Sequence, residues 1–120
     1  MENVAKFLST LFNSRDQAHI FHLQTSSYAT HKALNNYYDA VVGLVDSYAE
    51  TCQGRYGIIR GYTPQKQYFE NDEVIKYFTG LSTYIDSVRN GLPQDGDLNN
   101  IVDEISALVN STIYKLKYLK

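Results

Sequence analysis

The chain reaches Pro64 before it meets its first proline, and its only other proline is Pro93. A proline inside a helix removes a backbone hydrogen bond and clashes with the preceding turn. The long proline-free stretch is therefore free to be helical. Both prolines sit among glycines, in GIIRGYTPQKQ and in NGLPQDGD. Clusters of this kind punctuate helices. The chain thus divides into a long first half and two shorter segments. Within each, apolar residues recur at intervals of three and four, the period of a helix with one buried face.

Four helices follow from that period. The first is expected over about Asn3 to Thr25, with Val4, Leu8, Leu11, Ala18, His22 and Thr25 near one stripe. Ser14 with Gln17 resembles a capping box, so the helix is read as continuous with a bend at Asn13-Ser14. The second is expected from about Tyr28 to Gln53, with Ser26 or Ser27 as N-cap and Gly54 as its stop. The third runs from about Asn71 to Asn90. Asp72 and Glu73 in its first turn and Arg89 in its last suit the helix dipole. The fourth runs from about Asp97 to Leu119. Only Arg55 to Tyr62 has any strand character. The polar pause Gln24 to Ser27 is short, which makes the first two helices antiparallel neighbours. The connection from Arg55 to Glu70 is long enough to traverse the bundle. The expectation is an all-α, antiparallel four-helix bundle of the ferritin-like type, with one long crossover between the second and third helices. A chain of 120 residues fits a single domain spanning positions 1–120.

Charge narrows the partners. Eleven basic and thirteen acidic residues give a formal −2, which argues against a nucleic-acid face. The closing YKLKYLK interleaves lysine with tyrosine, but a cationic last turn also complements the helix dipole. Cys52 is the only cysteine, so no intramolecular disulfide can form. Its place late in a helix disfavours a reactive thiolate. No apolar run approaches the ~20 residues that cross a bilayer, and no basic-then-apolar leader is expected. A cytoplasmic protein is the natural expectation. Eleven tyrosines and no tryptophan place amphipathic rings at helix interfaces or a subunit contact.

The chemistry concentrates in Gln17 to Gly57. This stretch holds all three histidines, His19, His22 and His31, together with Asp39, Asp46 and Glu50. Imidazole and carboxylate together suit iron, zinc or manganese. Asp46 and Glu50 are one turn apart and can share an ion. His31 and Asp46 lie fifteen residues apart on one helix, roughly 22 Å of axial rise. They cannot share a metal within one chain. His19 and His31 lie at one end of the hairpin and form one half-site; Asp46 and Glu50 form the other. An antiparallel two-fold dimer through the second helices would bring each half-site onto the other.

The spacing His19, His31, Asp46, Glu50, with the QAH of Gln17 to His19 and the run DSYAE, resembles the ferroxidase pattern of the Dps family. These are the DNA-binding proteins from starved cells. The resemblance covers roughly residues 4 to 57. It implies a ferritin-like bundle that assembles through a two-fold dimer into a hollow shell. It also implies a ferrous-iron site between subunits, with His19 and His31 from one chain and Asp46 and Glu50 from the other. The chain departs from that pattern at Asn35, where the family often has an aspartate, and at Ile20, where it has tryptophan. The lysine-rich N-terminal arm is also missing.

A plainer reading stands beside this one. The histidines can be interfacial groups bonded to backbone or tyrosine, and the acids a solvated helix face. His22, on the apolar stripe, reads as structural, and Asp39 as surface. The chain would then be a non-enzymatic helical interaction protein that has lost metal binding.

Overall fold

The computed structural model describes residues 1–65 and 67–120, so Lys66 of the crossover lies outside the described residues. Four α-helices carry the fold: α1 (Glu2–Gln24), α2 (Tyr28–Tyr56), α3 (Val74–Val88) and α4 (Gly96–Tyr118). Single 3₁₀ turns, Asn71–Glu73 and Arg89–Gly91, flank α3. No strand occurs among the described residues, and Gly57 to Tyr62 follows an irregular path.

Side-chain contacts fix the direction of each helix. The Asn3 amide donates to the Gly91 carbonyl, so α3 ends beside the start of α1. Arg55 pairs with Asp97, so α2 ends where α4 begins. The helices therefore run up, down, down and up, with α1 against α2, α2 against α4 and α4 against α3. Neighbours are antiparallel, and one long crossover joins α2 to α3, the plan of ferritin-like bundles.

The crossover climbs the length of α1 and is tied down mainly through its backbone. The Ile59 N–H donates to Gln53 Oε1 at 3.1 Å and the Thr63 N–H to Ser9 Oγ at 2.9 Å. Gln17, fully buried, holds both polar groups of Phe69: its Oε1 accepts from the N–H at 2.7 Å and its Nε2 donates to the carbonyl at 3.1 Å. The capping-box role considered for Gln17 is thus not the one it plays. Its partner Ser14 sits inside an unbroken helix, donating to the Leu11 carbonyl and bonding the Tyr37 hydroxyl at 2.7 Å.

Ser27 caps α2, its hydroxyl accepting from the Thr30 N–H, as the sequence leads one to expect. The far end of α2 differs from expectation. The helix passes Gly54 and stops at Gly57, whose φ of 95° only glycine adopts readily. The extra turn is secured from α4: Arg55 clamps Asp97, and the Tyr56 hydroxyl donates to Asp95.

Leu8, Leu11, Phe21, Leu34, Tyr48, Phe78 and Ile105 form a continuous core. Burial of each such side chain contributes about 1.5–3 kcal/mol. Edge-to-face ring pairs tie α2 to α1 through Phe7 with Tyr48, and across the core to α3 through Tyr37 with Phe78. The seam between α1 and α3 is the loosest. The Thr10 hydroxyl meets Tyr84 there at 3.3 Å. A cavity of about 330 Å³ opens beside them, lined by Phe69, Tyr77, Gly80 and Leu81.

Candidate functional site

The three-residue connection Thr25 to Ser27 sets the register of the α1–α2 hairpin and places His22 opposite His31. Their rings stack with centroids 3.6 Å apart and planes inclined by 20°. Each ring also bonds the other residue's backbone. His22 Nδ1 reaches the His31 carbonyl, and His31 Nδ1 reaches the His22 carbonyl, both at 2.9 Å. A carbonyl only accepts, so each Nδ1 carries a proton, and it is Nε2 that holds the lone pair of the neutral tautomer. His22 lies in the last turn of α1, where carbonyls run out of helical partners; His31 supplies one. The His22 ring is buried and the His31 ring half-buried.

His19 sits one turn earlier. Its ring stacks on Tyr38 at 4.4 Å and 19°, and meets His22 edge-on at 5.8 Å. The Tyr38 hydroxyl donates to Asn35, whose amide donates in turn to Asp39 at 3.1 Å. The expected half-site of His19 with His31 is therefore a row of three imidazoles, with His22 between the other two. The role of Tyr38 was not read from the sequence. The signal for His22 was available: a short hairpin centred near residue 26 pairs position 22 with position 31.

Asp46 and Glu50 lie exposed on the outer face of α2, with no hydrogen bond or ion pair among the described residues. They remain far from the imidazoles of their own chain. Among the described residues no three His, Cys, Asp or Glu side chains are placed so that they could hold a metal ion, the stacked imidazole row included. The four expected donors stay as two separate pairs, and one chain does not complete a metal set from them.

The opposite end of the bundle carries charge but no imidazole. Arg55 grips Asp97 through two near-parallel hydrogen bonds, Nε to Oδ1 and Nη2 to Oδ2, both at 3.1 Å. The guanidinium holds that carboxyl below the usual aspartate range. Cys52 is buried, and burial pushes its thiol above the ordinary value, which suits a packed, unreactive side chain. Among the described residues no helix is long and apolar enough to cross a membrane.

No curated protein and no solved structure matches this chain. A family model matches residues 22–116, from the stacked imidazole of α1 to the last turn of α4, and the chain therefore belongs to the family of unknown function DUF5856.

Proposed function

We propose that this is a cytoplasmic, Dps-like metal-binding protein in which two copies complete an iron site between their α2 helices. His19 and His31 of one copy would face Asp46 and Glu50 of the other. Iron is the substrate, with zinc or manganese as alternative occupants of the same donors. Oxidation would pass electrons from ferrous iron to dioxygen or peroxide, the oxidant ending as water. Assembly beyond the dimer into a shell belongs to the same reading. The observation that carries it is the 2.9 Å contact of His31 Nδ1 with the His22 carbonyl. With Nδ1 donating to a carbonyl, Nε2 keeps the lone pair that a metal needs, as metal-ligating histidines are commonly oriented. The unpaired, exposed acids of α2 supply the complementary charge.

A specific observation favours a second reading. The reciprocal His22–His31 bonds and the His19–Tyr38 stack give every imidazole a structural occupation. A metal-free helical interaction protein would need nothing more of them.

One experiment separates the two. Anaerobic protein is titrated with ferrous iron and then exposed to air. The iron reading expects a ferric absorbance band that is lost in the His31→Ala, Glu50→Ala double variant. An unchanged band in that variant ends the site assignment. The metal-free reading expects no band and no change of melting temperature with iron or zinc.

A further inference from the structure

The outer face of α2 has a pattern that runs well beyond the two acids of the metal reading. Lys32, Asn36, Asp39, Gly43, Asp46 and Glu50 are all exposed. They follow one another at intervals of four, three, four, three and four. That is the spacing of a coiled-coil seam, built here from polar and small residues. Lys32 and Glu50 are eighteen residues apart, about five helical turns, so they lie in line on the same face. Neither makes an ion pair among the described residues.

The seam is self-complementary in one direction only. Placed antiparallel across a two-fold axis at position 41, Lys32 meets Glu50 of a second copy and Asn36 meets Asp46. Asp39 then meets Gly43, so no like charges oppose each other. A parallel pairing would set Lys32 on Lys32, Asp39 on Asp39, Asp46 on Asp46 and Glu50 on Glu50. Like charges facing each other are destabilising. Beyond the local backbone of α2 itself, no described atom lies within 4 Å of the point where a Gly43 Cβ would stand. A second backbone can therefore approach closely next to the axis.

The geometry points to this face as an isologous docking surface for a second copy of the chain. Lys32–Glu50 ion pairs set its antiparallel register without any metal. The inference shares the two-fold of the proposed iron site but not its ion, and the two can fail separately.

The test is sedimentation equilibrium of the full chain in EDTA. The expected result is a dimer that weakens as salt rises from about 0.1 M to about 1 M, where the screening length falls from about 10 Å to about 3 Å. Lys32→Glu or Glu50→Lys alone should weaken the dimer at least about tenfold, since each turns two symmetric attractions into repulsions. The combined Lys32→Glu, Glu50→Lys chain should dimerise again, because the exchanged charges attract only in the antiparallel register. Both sites are exposed, and the new charges suit the helix dipole at each end, so the variants keep the fold, as circular dichroism will show. A monomer in EDTA at every salt concentration overturns the inference, as does failure of the combined variant to recover. A chain that is monomeric in EDTA but dimeric with ferrous iron overturns this inference and leaves the iron reading standing. A metal-free dimer that binds no iron does the reverse.

Discussion

Removing the Ser14 hydroxyl should destabilise the bundle more than removing the phenol it serves. Tyr37 is fully buried, and its hydroxyl bonds Ser14 Oγ at 2.7 Å. Ser14 has one proton, which it gives to the Leu11 carbonyl at 2.7 Å. Tyr37 must therefore be the donor between them. Burial pushes the Tyr37 phenol far above its ordinary range, so it keeps the proton it donates. In Ser14→Ala the phenol keeps its bulk but loses its acceptor in a dry site. An orphaned buried donor costs about 1–3 kcal/mol, so we expect about 2 kcal/mol. In Tyr37→Phe the serine keeps Leu11, and the loss should be about 1 kcal/mol, the net worth of one hydrogen bond. The double variant orphans nothing and should lose about 1–2 kcal/mol, less than the sum of the singles. The coupling of about 1 kcal/mol or more is what a double-mutant cycle isolates. Urea unfolding followed by circular dichroism measures all three, and a chain of this size should lose about 3–5 °C of Tm per kcal/mol. If Ser14→Ala costs no more than Tyr37→Phe, or the two losses add, the donor assignment is wrong.

Two further outcomes follow from contacts outside the core. Gln17→Ala should leave both backbone groups of Phe69 without partners, cost about 2–3 kcal/mol, and speed hydrogen exchange at the Phe69 amide; unchanged exchange there would refute the clamp. Arg55 lowers the folded pKa of Asp97, so that contact stabilises the fold above the unfolded carboxylate value of about 3.9 and is lost as pH falls through the folded value. Arg55→Ala should return Asp97 to the ordinary range in an NMR titration, and an unmoved midpoint would show that the guanidinium is not the cause.

The four helices and their crossover were legible because each signal was local. Proline, glycine and the three-four apolar period act within a few residues, and so does the Ser27 cap. The end of α2 was not legible, because Gly54 is a stop only if nothing beyond it is gripped. Arg55 and Tyr56 are gripped, by acids about forty residues away, and that tertiary contact overrides local propensity. The histidine row shows a different limit. Spacing on separate helices put His19 with His31, but a hairpin register is set by loop length, and three connecting residues bring His22 across instead. Gln17 and Tyr38 were missed for a third reason: a buried amide clamp and a ring stack leave no periodic trace in a sequence.

The crossover is moored by its peptide groups at Ile59, Thr63 and Phe69, and the moorings belong to Gln53, Ser9 and Gln17. A ribbon held this way depends little on the side chains at its exposed positions, while Ile59, buried in the core, remains a side-chain anchor. Substitutions at the exposed Arg60, Pro64 and Gln67 are expected to cost little, and substitutions at Ser9 and Gln17, which hold the ribbon, to cost more. Much of what fixes the path of this segment is thus encoded outside it, in the polar side chains of α1 and α2.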